Sequence, residues 1–216
     1  MTENANGEKT IISLRGRGEG RYVDRRSEFI GYASPVSTEE EAAEFVASVR
    51  STHPGARHVV YAYSLRNGAA KRYSDDGEPQ GSAGRPVLGV LEKEEIDGAV
   101  VAVVRYFGGI LLGTGGLVRA YSAAAAAAVE NAGVVRLLPA CVVAVCAGYD
   151  GYQRIARAAA ALGAAVESVA YGERVEAVLT VRTPDLEKLR VAVRDASQGS
   201  ASFEITGEKL IPVKEF

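Results

Sequence analysis

The sequence predicts an α+β protein made of two units. Two observations carry this reading. The second half orders its elements β-α-β-β-α-β, the split pattern of a ferredoxin-like sandwich. The first half centres on "GAVVAVVRYF" (98–107), an apolar run that fits a strand covered on both faces, with helical patterns on either side of it in sequence. The chain has 216 residues, 47% of them hydrophobic, enough for two small cores.

In chain order, residues 1–8 are polar and expected to be disordered. "KTIISL" (9–14) alternates weakly, as an edge strand does. "RGRGEGRYVDRR" (15–26) reads as a charged, turn-rich segment. "SEFIGYASPV" (27–36) is a predicted strand. Thr38 and Glu41 form a capping-box pattern, Glu39 and Glu40 suit a helix N-terminus, and Ala42, Phe45, Val46 and Val49 recur at helical spacing until "HPG" (53–55). "RHVVYAYSL" (57–65) is β-branched and aromatic. Asn67-Gly68 signals a hairpin whose return strand is "AAKRYS" (69–74).

A polar loop (75–84) leads to a helix with Pro86 at its first position. After the apolar strand comes a glycine loop, and then an alanine-rich helix over 117–133 that ends at Gly133. A domain boundary is expected at Pro139, giving units 1–138 and 139–216. The second unit should run as strand 141–148, helix 149–163, hairpin 164–172 and 174–182, a helix capped by Thr183 with Pro184 at its start, and strand 200–213.

Composition narrows the function. Net charge is −2 and each half is near −1, so no global basic field attracts nucleic acid and any anion site must be local. Cys141 and Cys146 fall on opposite faces of one strand and are poor disulfide partners, which suits a reduced, cytoplasmic protein. No apolar run reaches the ~18 residues of a membrane span, and the N-terminus has no signal core.

Three stretches can carry chemistry. In "RYFGGILLGTGG" (105–116), glycines can aim several N–H groups at one point before a helix N-terminus, with Arg105 and Arg119 supplying charge. That describes a phosphate or RNA-backbone cradle, and equally a tight strand-to-helix connection. It fits neither the Walker loop nor the dinucleotide fingerprint. In "SDDGEPQGSAGRP" (74–86), Asp75, Asp76 and Glu78 could hold a hard cation, but a loop ordering the next helix fits better. The arginines of segment 15–26, Arg25 and Arg26 among them, lie beside Tyr22 and Phe29, as single-stranded RNA binding or a solvated face would require. His53 reads as a solvated turn residue and His58 as a structural strand residue. Ser82 does not fit a nucleophile elbow. No nucleophile–base pair, metal set or cofactor motif stands out, so catalysis, metal and cofactor are not expected.

"RRSEFIGYASPV", "HVVYAY", "DDGEPQGSAGRPVL" and "VVAVVRYFGGILLGTGGLVRAYS" together closely resemble the signature of the YigZ/IMPACT family over residues 20–133. The resemblance implies a first unit with the βαβ fold of the second domain of ribosomal protein S5, and a second similar to a ferredoxin-like module of elongation factor G. It marks Asp75, Asp76, Glu78, Arg105, Tyr106, Gly108, Gly109, Gly113, Gly115, Gly116 and Arg119 as motif positions here. Leu111 replaces a usual basic residue, and Ser82 a common threonine. The extra N-terminal domain of eukaryotic IMPACT, which restrains a starvation-activated translation kinase, is not expected in this chain. A proline-dipeptidase role, ascribed to some bacterial relatives, finds no paired metal ligands here.

The expected function is therefore that of a non-enzymatic RNA- or ribosome-associated protein, a regulator of translation. Its anion-binding surface would comprise Arg105, Tyr106, the loop glycines, Arg119, Arg25 and Arg26, with Asp75, Asp76, Glu78 and His58 as a motif loop. The alternatives are a phosphate- or nucleotide-binding enzyme using the glycine-rich loop together with Asp75, Asp76 and Glu78, and a protein–protein regulator with a translation-related partner.

Overall fold

A computed structural model describes residues 2–3, 9–65 and 68–213. The chain divides into two compact units, with the main break between Arg136 and Leu137. Of the expected disordered leader, Thr2–Glu3 form a short strand, β1, and the rest lies outside the described residues, as does Asn67 of the predicted hairpin turn.

The first unit holds a five-stranded antiparallel sheet in the order β3-β4-β7-β5-β6: β3 (Gly18–Asp24), β4 (Ser27–Pro35), β7 (Ala99–Tyr106), β5 (His58–Leu65) and β6 (Ala70–Ser74). Strand β2 (Lys9–Leu14) precedes it, and the Ile12 carbonyl accepts from Asp97 N at 2.8 Å. The central β7 explains its own apolar run. Val100, Ala102 and Val104 pack toward helix α1 (Glu39–Thr52), while Val101 and Val103 pack under α2 (Gly84–Lys93) and α3 (Gly113–Ala132). Burial on both faces thus comes from helices on both sides of an antiparallel sheet. The predicted N-cap forms, since Thr38 Oγ1 accepts from Glu41 N, but Glu41 reaches back to Ser37 N, one residue before the cap.

Three elements differ from expectation. Segment 15–26 is not simply turn-rich, because most of it is strand β3. Gly18, Gly20 and Gly31 lie directly against the backbone of α3. A Cβ on Gly20 would stand 2.4 Å from Ala128 N, and one on Gly31 2.3 Å from Ala124 O. The alanine run of α3 is therefore the sheet-facing partner of a glycine-bearing hairpin. Second, α3 begins at Gly113, so Gly113, Gly115 and Gly116 form its first turn and only 107–112 is loop. Third, strand β8 (Val134–Ala147) begins before the boundary expected at Pro139 and runs unbroken through it.

The second unit has the antiparallel order β11-β8-β10-β9, with β9 (Ala165–Tyr171), β10 (Val175–Arg182) and β11 (Ser202–Pro212). Helices α4 (Tyr149–Ala161) and α5 (Leu186–Ser197) cover one face through Ile155, Ala159, Leu189 and Val193. The β-α-β-β-α-β order is the one read from the sequence. A 3-10 turn, Thr183–Asp185, precedes α5, whose N-cap is Asp185 rather than Thr183. Cys141 and Cys146 are free, on opposite faces of β8.

Candidate functional site

The motif loop joins β6 to α2, and its three acids are all engaged. Asp75 accepts from Gly81 N (2.8 Å), Ala83 N (3.1 Å) and Gly84 N (2.8 Å), which closes the loop and satisfies N–H groups at the start of α2. Asp76, at φ +44°, accepts from Val59 N at 2.7 Å and from Arg50 at 3.0 Å. His58 Nδ1 donates to the Asp76 carbonyl at 2.6 Å, tying the loop to the first residue of β5. Glu78 is buried, and one carboxylate oxygen takes both Arg105 Nη1 at 2.6 Å and the Tyr121 hydroxyl at 2.8 Å. Burial, reinforced by the Glu78 charge, holds the Tyr121 phenol far above its ordinary pKa, so it remains the proton donor. Ser82 is buried, with its hydroxyl on the Pro79 carbonyl at 2.6 Å. The loop works as a brace between β5, β7, α2 and α3.

This corrects the expectation for Arg105. Its charge is not offered to a ligand but paired with Glu78, and its guanidinium lies over the rings of Phe29 (5.6 Å) and Phe107 (5.5 Å). Tyr106 points to the opposite face of the sheet. There His53, expected to be merely solvated, has Nδ1 2.8 Å from the Tyr106 hydroxyl and Nε2 2.8 Å from that of Tyr32. A neutral imidazole has one donor and one acceptor, so one tyrosine donates and the other accepts. Nothing in the linear sequence links these three residues, because they come from three separate elements. Arg119, in the second turn of α3, lines a groove between α2 and α3 rather than the glycine loop.

The exposed part of the site lies where β7 leaves the sheet. The turn between β3 and β4 is made by Arg25 and Arg26 at φ 45° and 69°, with Asp24 paired to Ser27. Gly108 rests on this turn: a Cβ there would lie 2.1 Å from the Arg26 carbonyl carbon, and Gly108 N donates to Ser27 Oγ at 3.1 Å. The glycine therefore sets the two arginines against the loop, and both are exposed. Gly109, at φ +84°, turns the chain away, leaving Phe107 and Ile110 exposed and Leu111 80% exposed. Among the described residues, no side chain caps the first turn of α3 after Leu112. The structure thus gathers Arg25, Arg26, Gly108, Gly109 and the α3 N-terminus with Gly113, Gly115 and Gly116. Asp75, Asp76, Glu78, His58 and Arg105 form the brace behind them.

The chain is thus a two-unit α+β protein with a braced acidic loop and an arginine turn seated on Gly108. Residues 25–129 match the Impact N-terminal domain, and residues 146–200 match a domain of unknown function, DUF1949. The chain belongs to the IMPACT family. It is 41% identical over 127 residues to the IMPACT family member YvyE of Bacillus subtilis, covering 58% of each chain. It is 45% identical over 100 residues to YigZ of Escherichia coli, covering 45% of this chain and 49% of that one. Rat Protein IMPACT is 31% identical over 95 residues, 42% of this chain and 30% of its own length. The alignments thus span about half the length of these bacterial relatives. A crystal structure described as that of a hypothetical protein superposes with a TM-score of 0.65 at 28% identity, covering 92% of this chain and 98% of that one.

Proposed function

We propose that the protein is a non-enzymatic, RNA-binding factor that acts on the ribosome and regulates translation. One observation carries the reading: the Arg25–Arg26 turn is packed on Gly108 beside the exposed ring of Phe107. Two guanidinium groups, an aromatic face and an uncapped helix N-terminus on one surface match the needs of single-stranded RNA, which binds through phosphate contacts and base stacking. The engagement of Asp75, Asp76 and Glu78 in the brace speaks against the enzymatic alternative, which needed those carboxylates free.

The test is co-sedimentation with ribosomes and anisotropy with fluorescent single-stranded RNA at about 50 mM salt. The variant Arg25→Asn with Arg26→Gly keeps a turn that tolerates positive φ and removes both charges. Loss of binding in this variant is expected; binding equal to the parent overturns the reading.

Protein–protein regulation is a second reading, favoured by the exposure of Ile110 and Leu111 at the loop tip. Leu111→Ser separates the two, because it leaves the charges intact. Ribosome association lost with Leu111→Ser, while RNA binding persists, would favour a protein contact.

A further inference from the structure

The groove between α2 and α3 belongs to neither the brace nor the arginine turn. It has a volume of about 910 Å³ and an apolar floor that includes Gly89 and Val90 of α2 and Val118 and Ala126 of α3. Two features set it apart from an ordinary helix seam. Gly89 sits in the interior of α2, where glycine is the least favourable residue short of proline, yet a Cβ there would meet nothing within 4 Å. Internal packing therefore does not call for glycine at this position, whereas close approach of an occupant does. Val118 and Val134 also remain exposed along the groove.

The rim carries charges of both signs. Lys93 lies 3.7 Å from Glu94, and nearby Arg85 is paired with Glu92 at 2.6 Å. Arg119, also on the rim, is exposed and has no ion pair or hydrogen bond among the described residues. Glu130 lies eleven residues further along α3, about 16 Å away at the helical rise. The groove thus offers one free guanidinium, at Arg119, while its lining also carries Lys93, Glu94 and Glu130 around small and apolar side chains. We propose that this groove binds a free single-chain anionic amphiphile, its carboxylate on Arg119 and its tail along Gly89, Val90 and Ala126. A carboxylate gains a charge-assisted hydrogen bond from Arg119, the cation of the lining that has no partner among the described residues.

The probe is 11-(dansylamino)undecanoate with the full chain, followed by its emission and displaced by dodecanoate. Dodecanoate is expected to displace it, and Gly89→Leu and Ala126→Leu, which fill the groove, are each expected to weaken binding about tenfold. Arg119→Gln should weaken dodecanoate about fivefold and leave dodecanol unchanged. Circular dichroism establishes that each variant is folded. Failure of dodecanoate to displace the probe overturns the proposal, as do groove-filling variants that bind like the parent. Equal weakening of dodecanol by Arg119→Gln removes the carboxylate assignment. Binding to anionic phospholipid vesicles in preference to free dodecanoate would assign the groove to a membrane surface and overturn it too.

Discussion

Glu78 joins three elements through one carboxylate, and its worth is measurable. Removing one partner of a buried ion pair leaves an uncompensated charge, so Glu78→Gln should destabilise the first unit by about 3–5 kcal/mol. Replacing both members, with Glu78→Gln and Arg105→Met, should cost less than the sum of the single changes, because no stranded charge remains. Urea unfolding of the four species provides the cycle, and simple additivity would refute the coupling. A second residue predicts a pH dependence. The Asp185 carboxyl is held below its ordinary range, first by the hydrogen bond from Lys188 and also by Arg182, against the opposing effect of burial. A carboxyl whose pKa is lowered on folding stabilises above its unfolded value, about 3.9, and that stability is lost as pH falls through the folded value. Below about pH 4 the parent should therefore lose stability more steeply than Asp185→Asn, read from urea midpoints against pH. Arg105 shows why such roles escape sequence reading. A basic residue ending an apolar strand looks like a surface charge, and its partner lies in a loop 27 residues upstream.

At the scale of elements, β3 was the least legible. Gly18, Gly20 and the charges around them mimic a loop, and Arg25-Arg26 lacks the Asn-Gly chemistry that announces a turn with positive φ at both central residues. Only the alanine-rich helix α3, more than 100 residues away, explains the glycines, and that pairing is tertiary. Gly20→Ala should accordingly destabilise by about 2 kcal/mol or more, since its methyl meets helix backbone rather than a flexible side chain. A thermal midpoint equal to the parent would show that α3 can move aside. The RNA test variant, Arg25→Asn with Arg26→Gly, should be at least as stable as the parent, because it relieves left-handed strain on two L-residues. Loss of RNA binding without loss of stability is then attributable to charge. The helices and the strands β5, β7 and β10 were legible because their signals, helical spacing, alternation or an unbroken apolar run, are local and strong.

For the whole molecule, near-neutral halves limit long-range attraction. With Arg105 withdrawn into the brace, the proposed surface keeps Arg25 and Arg26, and at most Arg119 as a third, for phosphate contacts. The affinity for single-stranded RNA should fall with salt at a slope of about −1.4 to −2.1 in logarithmic units. A much steeper slope in anisotropy titrations would mean that a larger basic surface takes part. The split into two units was readable from the change in element order. The continuous strand β8 was not, because Pro139 reads as punctuation and its tolerance within a strand depends on neighbours remote in sequence. The glycine–alanine seam beneath α3 has a thermal consequence. Gly and Ala have no rotamers to freeze, so the glycine–alanine part of this contact forfeits almost none of the side-chain entropy that a leucine or methionine interface would surrender. That entropic penalty grows in proportion to absolute temperature, and a seam that largely escapes it should be among the last parts of the first unit to loosen as the protein is heated.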